Sequence, residues 1–337
     1  MEIKRDGYLK KLIAKRDDGK IKVITGLRRA GKSYLLFELY RKYLISEGVD
    51  PKRIIGIELD KARNAQFRNP LLLLKKVREL TSEGGHYYLF LDEVTFVVEI
   101  KNPALRGTDK YDDRSTFINL YSVLSDLMGP NLDIYVTGSN SHLLSKDVLT
   151  EFRDRGEEIR VHPLIFSEFM GAYSGSVSDG WDEYATYGGM PYVMRLPSSE
   201  EKTNYLLDLY QNTYTRDILE RYSIERPDVL DDAMKLLFSS ASSLTSIHRI
   251  ANTLNSVKQA NVQDPLIHNY LDHIVDSFLF SKACRYDIKG KQYFESPYKY
   301  YPEDVGLRNA VLNYRELDED HIMENVLYNE QIGRAHV

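Results

Sequence analysis

The chain has 337 residues, enough for about two domains that each bury a hydrophobic core. Its hydrophobic fraction of 42% and charged fraction of 28% describe an ordinary globular protein, and its net charge of −5 excludes a general electrostatic attraction to nucleic acid or to anionic membranes. The single cysteine, Cys284, excludes an internal disulfide and a cysteine-based metal cluster, fits a reducing cytoplasm, and is expected in the core. A charged N-terminus and the absence of a long apolar run predict neither export nor membrane insertion.

The first predicted strand, Ile21–Thr25, leads into a glycine-rich loop that opens a helix. Residues 26–33 match the pattern G-x-x-x-x-G-K-S of a phosphate-binding P-loop. Its glycines let backbone N–H groups and the next helix's N-terminus face polyphosphate oxygens. We expect the Lys32 ammonium at the β- and γ-phosphates and the Ser33 hydroxyl on the Mg²⁺ that they carry. The predicted nucleotide-binding residues are Gly26, Leu27, Arg28, Arg29, Ala30, Gly31, Lys32 and Ser33.

Two alternatives stay open for this loop. A glycine turn with a solvated lysine would give the same letters without binding a ligand. Arg28 and Arg29 are placed to contact phosphate or a sugar edge through their delocalised charge, or they are solvated loop arginines.

Strand and helix signals alternate after the loop, which predicts a parallel sheet. A helix over residues 33–45, a strand over 53–59 and a helix over 70–80 precede the apolar run 86–91, which stops at Asp92 and Glu93. In P-loop enzymes an aspartate at such a strand end holds Mg²⁺ opposite the loop hydroxyl, and a following carboxylate can orient the attacking water. We therefore predict Asp92 as a metal ligand and Glu93 as a catalytic residue. Solvated acids at a strand end are the alternative.

The next predicted strand, Leu132–Thr137, ends before Asn140. A polar side chain leaving a central strand can lie near the γ-phosphate, so Asn140 is a candidate catalytic residue. The alternative is that Asn140 caps a helix over residues 142–149.

These segments together resemble prokaryotic AAA-type ATPases that carry a C-terminal domain of unknown function. The resemblance is carried by residues 26–33, 91–94, 137–140 and 163–169, and later by 188–191, 216–218, 299–308 and 324–325, so that it covers nearly the whole chain. It implies an α/β fold, the three-layer α/β/α parallel sheet of P-loop NTPases, and binding of ATP with Mg²⁺ followed by hydrolysis. The absence of a guanine-reading N-K-x-D run gives no support to guanine. Nothing in the sequence itself selects adenine, so adenine specificity rests on the resemblance alone.

The resemblance also draws attention to Arg153 and Arg155, just before a strand over residues 157–162. In AAA-type enzymes an arginine that neutralises transition-state charge often comes from a neighbouring subunit, which implies a homo-oligomer. Surface ion pairing with nearby acids explains these arginines as well.

Helices dominate beyond residue 165, and residues 163–180 form the boundary zone. A long amphipathic helix spans 200–222, and helices over 229–239, 246–255 and 264–276 precede a hairpin of 278–286 and 291–301, the outline of a winged helix. Its wing is basic, which suggests DNA binding, but the third helix carries three aspartates without lysine or arginine, which argues against it. Protein contact or internal packing is the alternative.

The predicted domains are an ATPase domain over 1–165, a helical connector over 166–226 and a winged-helix-like module over 227–312. Residues 313–331 resemble the start of a restriction-endonuclease-like domain whose other site residues come later, so Glu324 is expected to be a surface group. Residues 332–337 read as a translated sequencing adapter, so the natural chain is expected to continue past about Glu330 with a different sequence.

Three function classes follow from the sequence. The first is an ATPase whose C-terminal half transmits the nucleotide state to a partner. The second is a sensor that binds nucleotide without useful turnover. The third is a nucleotide-dependent DNA-binding protein linked to defence or mobile elements. The histidines form no H-x-x-x-H pair and no G-x-S-x-G occurs, which excludes the common zinc and serine hydrolases.

Overall fold

A computed structural model of the chain describes residues 3–138, 155–284, 297–315 and 318–335. The described residues group into two units by their contacts. The sheet unit contains Arg5–Gly26 and Gly31–Val161, whereas the helical unit contains Leu27–Ala30, the residues from His162 onward and the first residues up to Lys4. The tip of the glycine-rich loop therefore belongs to the helical unit. No helix within the described ranges combines the length and the apolar character needed to cross a bilayer.

A five-stranded parallel sheet forms the centre of the sheet unit. Its strand order is β2-β3-β4-β1-β5, and every neighbouring pair is parallel. All five strands therefore end at one edge, the carboxyl edge. The strands are β1 (Ile21–Thr25), β2 (Ile54–Glu58), β3 (Tyr87–Asp92), β4 (Leu132–Thr137) and β5 (Gly156–Arg160). The predicted parallel sheet is confirmed.

Four helices of the sheet unit are described. They are α1 (Asp6–Ala14), α2 over residues 32–46, α3 (Pro70–Leu80) and α4 (Leu120–Leu127). Helix α2 contains a π-helical segment, Leu35–Tyr40. Helix α3 starts where the sequence predicts, because Asn69 caps it and Pro70 fits the first turn. Short 3₁₀ turns occur at Pro51–Arg53, Ala62–Arg68, Val94–Phe96, Pro103–Leu105 and Arg114–Thr116.

A buried polar network joins β1 to β4 inside this unit. Lys22 on β1 forms an ion pair with Asp133 on β4, and their side chains are only 0% and 2% exposed. The Asp133 carboxylate also accepts a hydrogen bond from the Tyr135 hydroxyl at 2.7 Å, and the Tyr135 and Tyr40 hydroxyls lie 2.6 Å apart. Burial raises the pKa of both tyrosines, so they stay protonated. The two strands are therefore held in register by polar as well as apolar contacts.

The helical unit begins with α5 (Phe166–Ala172) and α6 (Val177–Tyr187), followed by the 3₁₀ turn Val193–Arg195. The long helix α7 covers residues 199–222 and contains a π-helical segment, Leu209–Thr215. The remaining elements are α8 (Pro227–Ser239), β6 (Leu244–Thr245), α9 (Ile247–Lys258), α10 (Asp264–Asp276), β7 (Phe280–Ala283), β8 (Tyr298–Pro302), α11 (Val305–Val311) and α12 (Glu319–Ala335). Strands β6, β8 and β7 form an antiparallel sheet in that order.

Two segments that carry the family resemblance meet in the core of the helical unit. A Cβ on Gly189 would lie 2.0 Å from the Leu164 carbonyl oxygen, so only glycine fits there. The Gly189 N–H donates to the Asp304 carboxylate at 2.7 Å, and Asp304 also accepts from the Leu307 N–H at the start of α11. Complete burial raises the pKa of Asp304 to about 6. These landmark residues are therefore structural.

One of two expectations for this unit is wrong. Cys284 is exposed, because it follows the last residue of β7 rather than packing in the core. The Glu324 side chain is 44% exposed, as expected for a surface group, and it accepts hydrogen bonds from the Lys299 ammonium and the Tyr301 hydroxyl, each at 2.6 Å. The adjoining Asn325 is fully buried and donates to the Pro302 carbonyl. This end of α12 thus packs on β8.

Candidate functional site

The glycine-rich loop leaves β1 through a turn that only glycine can make. Gly26 has a φ of 129°, and a Cβ there would lie 2.0 Å from the carbonyl oxygen of Val161. The Val161 N–H donates to the Thr25 carbonyl at 2.8 Å, so this neighbouring backbone is fixed. Gly31, with a φ of 100°, then begins α2. The two glycines of the pattern thus have the backbone roles that the sequence predicts.

Lys32 lies buried beneath this turn. Its ammonium donates to the Gly26 carbonyl oxygen at 2.9 Å, and the residue is 4% exposed. A positive charge is therefore held against the loop backbone, where a polyphosphate binds in proteins with this loop.

Asp92 stands at the end of β3 on the carboxyl edge of the sheet. It accepts a hydrogen bond from the Ser33 hydroxyl at 2.9 Å and another from the Thr137 hydroxyl. Burial raises the pKa of its carboxyl group. The structure thus brings together the two residues that the sequence proposes as metal ligands, Ser33 and Asp92, although 59 positions separate them.

Glu93 follows Asp92 in a left-handed backbone conformation with a φ of 50°. Its N–H donates to the Thr137 hydroxyl oxygen at 3.0 Å. Thr137 therefore contacts both acidic positions, as a donor to Asp92 and as an acceptor from Glu93. The sequence marks residues 137–140 only as a family landmark, and this role of Thr137 was not predicted.

Two further carboxylates, Glu58 and Asp60, lie beside Asp92. Carboxylate oxygens of the three residues all lie within 4.8 Å of one another. The pairing register of β2 and β3 brings these carboxylates together, because Glu58 pairs with Asp92 across the two strands. Sequence reasoning missed this pair, although acids at the end of a predicted strand were the available signal.

The two loop arginines belong to the helical unit. The Arg28 guanidinium donates through Nη1 to both carboxylate oxygens of Asp217, at 2.8 and 2.7 Å. Arg29 has a φ of 67°, an uncommon conformation for a residue with a side chain. The Arg28 side chain is 41% exposed and paired with a carboxylate, and its contact with phosphate stays a prediction.

Of the other candidates, Asn140 and Arg153 lie outside the described residues. Arg155 is exposed at the start of β5, and its carbonyl accepts from the Ile21 N–H at 2.8 Å. It therefore lies at the amino edge of the sheet, opposite Gly26. An arginine-finger role for Arg155 stays a prediction about a neighbouring subunit.

The donor set fits a magnesium-bound polyphosphate. A hydroxyl and carboxylate oxygens, from Ser33 and Asp92, are the ligand types that Mg²⁺ takes in proteins. The loop glycines and Lys32 supply N–H groups and positive charge for phosphate oxygens. Both requirements are met by residues on one edge of one sheet.

Comparisons with known proteins agree with this geometry. Residues 18–170 match the family model for an AAA domain, and residues 178–318 match a domain of unknown function, DUF8612. An uncharacterized protein of Haemophilus influenzae is 30% identical over 340 residues, which cover 99% of this chain and 80% of the relative. The uncharacterized protein MJ1544 of Methanocaldococcus jannaschii is 27% identical, with 94% of this chain and 68% of the relative covered.

One solved structure supports the fold. The Walker-type ATPase PABY2304 of Pyrococcus abyssi superposes with a TM-score of 0.57 at 15% sequence identity. The match covers 92% of this chain and 96% of the other.

Proposed function

Because the chain belongs to the AAA-type P-loop family in which an AAA domain precedes a domain of unknown function, we propose that it binds Mg·ATP and hydrolyses it to ADP and phosphate. The observation that carries this proposal is the 2.9 Å hydrogen bond between the Ser33 hydroxyl and the Asp92 carboxylate, next to a P-loop lysine. A loop hydroxyl opposite a strand-end aspartate is the arrangement with which P-loop enzymes hold magnesium.

Each residue of the site has a proposed task. Gly26 and Gly31 shape the loop so that its N–H groups face the phosphates, and Lys32 adds positive charge to them. Ser33 and Asp92 hold the magnesium ion. When bound, that ion supplies neutralising charge to the phosphate oxygens.

Glu93 is the proposed water-orienting carboxylate. Its backbone is fixed by the hydrogen bond to Thr137, so its side chain leaves the strand end in a defined direction. Water positioning and charge stabilisation are together worth several powers of ten in phosphoryl transfer, at about 1.4 kcal/mol for each power. Replacing only this carboxylate is therefore expected to stop turnover and to spare binding.

The C-terminal half is the proposed output of the nucleotide state. We assign an ATPase domain to 1–165, a helical connector to 166–226 and a winged-helix-like module to 227–312. The module rests on the order of α8, β6, α9, α10, β7 and β8 and on the antiparallel pairing of the three strands. This half would contact a partner, and assembly into a homo-oligomer would bring a neighbour's arginine to the phosphates.

DNA is the alternative partner, favoured by the lysines of the strand pair β7 and β8, Lys282 and Lys299, although Lys299 is already paired with Glu324. The exposed surface of α10 argues against it, because Asp264 and Asp272 lie there and the helix carries no lysine or arginine. A sensor that binds ATP without turnover is the other alternative, and it differs only in the role of Glu93.

The test is calorimetric titration of the full chain with Mg·ATP, together with a phosphate-release assay with and without duplex DNA. Lys32→Ala is expected to abolish both binding and release, because its charge acts in the ground state and in the transition state. Glu93→Gln is expected to bind normally and to lose at least about 100-fold in release.

Two exposed residues of α3 provide matched controls for these variants, Lys75→Ala and Glu79→Gln. They make the same chemical changes away from the site and should leave both readouts unchanged. Absence of heat on titrating the wild-type chain would refute the proposal. Tight binding without phosphate release would favour the sensor, and DNA-stimulated release would favour the DNA-binding alternative.

A further inference from the structure

Two residues of helix α7 form hydrogen bonds with Arg28, one residue of the loop tip. The Tyr214 hydroxyl donates to the Arg28 carbonyl oxygen at 3.0 Å. Three positions later, Asp217 accepts from the Arg28 guanidinium at 2.8 and 2.7 Å. The backbone and the side chain of Arg28 are thus both held by residues of the helical unit, and Arg28 lies within the phosphate-binding pattern.

These contacts restrict geometry more than they add stability. The Arg28 and Asp217 side chains are 41% and 24% exposed, and an ion pair that is this exposed to solvent adds little to stability. Tyr214 is buried, and burial keeps its pKa well above the ordinary value, so its hydroxyl remains a donor throughout the physiological range.

Tyr214 lies on a π-helical segment of α7, and Asp217 lies just after it. Leu209–Thr215 is π-helical, and the Thr215 hydroxyl donates to the carbonyl of Tyr210, five positions earlier. Such segments are rare and occur frequently at functional sites. Conversion to α-helix would change the register by one residue and rotate the later part of the helix by about 100°. Asp217 would then leave Arg28, so the helix geometry and the loop tip are linked.

From this geometry we infer that Tyr214 and Asp217 are positioning residues of the nucleotide site, through which the helical unit sets the affinity of the loop for Mg·ATP. The inference rests on the proposed function and extends it, because it names the residues that link the nucleotide to the C-terminal half. Neither side chain is proposed to touch the nucleotide. Both act by holding the loop tip ordered before the phosphates arrive.

The experiment measures the Mg·ATP dissociation constant of the full chain by calorimetry for wild type, Tyr214→Phe, Asp217→Ala, Arg28→Ala and the double variant Arg28→Ala/Asp217→Ala. Tyr214→Phe removes one hydrogen bond without a change of charge and is expected to weaken binding about 5-fold. Asp217→Ala is expected to weaken it by about the same factor. The double variant is expected to bind no more weakly than Arg28→Ala, because the two residues act through one contact.

Glu220→Ala is the matched control. Glu220 lies on the same helix in an exposed pair with Arg216 at 2.6 Å, and its loss should leave the dissociation constant unchanged. Hydrogen exchange over residues 209–222 gives a readout independent of activity. Mg·ATP should slow exchange there in wild type and much less in Asp217→Ala.

The outcomes separate the two proposals. Absence of heat with the wild-type chain refutes the proposed function and the inference with it. Normal wild-type binding with an equal or tighter dissociation constant in both Tyr214→Phe and Asp217→Ala refutes the inference alone. If the melting curve shows that Asp217→Ala does not fold, the inference is decided by the dissociation constant of Tyr214→Phe and by hydrogen exchange in the wild-type chain. An unchanged dissociation constant together with unchanged exchange would then refute it.

Discussion

Replacing Asp133 by alanine tests whether the sheet depends on the buried ion pair that joins the two strands beside the site. Strand β1 leads into the glycine-rich loop, and β4 ends at Thr137. Asp133→Ala would leave the Lys22 ammonium, whose side chain is 0% exposed, with Asp18 as its remaining carboxylate partner at 2.7 Å. It would also remove the acceptor of the Tyr135 hydroxyl.

The expected loss in the free energy of unfolding comes from the burial of the Lys22 charge. Removing one partner of a buried ion pair destabilises a protein by about 3 to 5 kcal/mol when the remaining charge is left without compensation, and the remaining contact of Lys22 with Asp18 places Asp133→Ala at the lower end of that range. For a domain of about 150 residues each kcal/mol lowers the melting temperature by about 2 to 4 °C, so a loss of about 3 kcal/mol lowers it by roughly 6 to 12 °C. Differential scanning calorimetry of the full chain measures it.

The double variant Lys22→Met/Asp133→Leu is the control. It removes both charges together and should melt well above Asp133→Ala, since an apolar pair of similar size leaves no charge buried. An Asp133→Ala protein that melts within about 2 °C of wild type would refute the reasoning, because that shift corresponds to less than about 1 kcal/mol.

Three further predictions concern the site. Gly26→Ala is expected to abolish the heat of Mg·ATP binding, because the added Cβ would lie 2.0 Å from the carbonyl oxygen of Val161. That oxygen cannot move without breaking the hydrogen bond between Val161 and Thr25. Normal binding by this variant would show that the turn is not needed. Thr137→Ala is expected to lower the rate of phosphate release about 10- to 100-fold and to change the dissociation constant little, because Thr137 orients Asp92 and Glu93. An unchanged rate would contradict this role. Burial and the nearby charge of Asp60 raise the pKa of Asp92, so Mg·ATP affinity should fall on acidification with a midpoint above the ordinary value of about 3.9. Asp60→Asn should move that midpoint to lower pH, in titrations that begin below the ordinary value, and an unchanged midpoint would contradict this.

Much of the sheet unit could be predicted from local signals. Leu132–Thr137 and Pro70–Leu80 have the predicted bounds, because an apolar run between turn residues and a proline after a capping asparagine determine structure locally. The meeting of Ser33 with Asp92 also follows, since the loop after β1 leads to Ser33, β3 ends at Asp92, and both strands end at the carboxyl edge of one parallel sheet. These features need no knowledge of which strands are neighbours.

Features that depend on distant contacts could not be read from the sequence. The cluster of Glu58 and Asp60 with Asp92 requires that β2 lies next to β3. The partner of Arg28 lies 189 positions away, and a charged residue inside a strand, such as Lys22, gives no sign of its buried counter-charge. β6 has only two residues, too few for a periodic signal.

The exposed position of Cys284 has a practical use. It is the sole thiol of the chain, so a maleimide dye would attach to the unmodified sequence at one known place, directly after β7 and next to the predicted basic wing. Fluorescence anisotropy of such a conjugate would rise when a large partner binds. The same labelled preparation can therefore be used to screen duplex DNA and protein partners, with and without nucleotide, before any mutation is made.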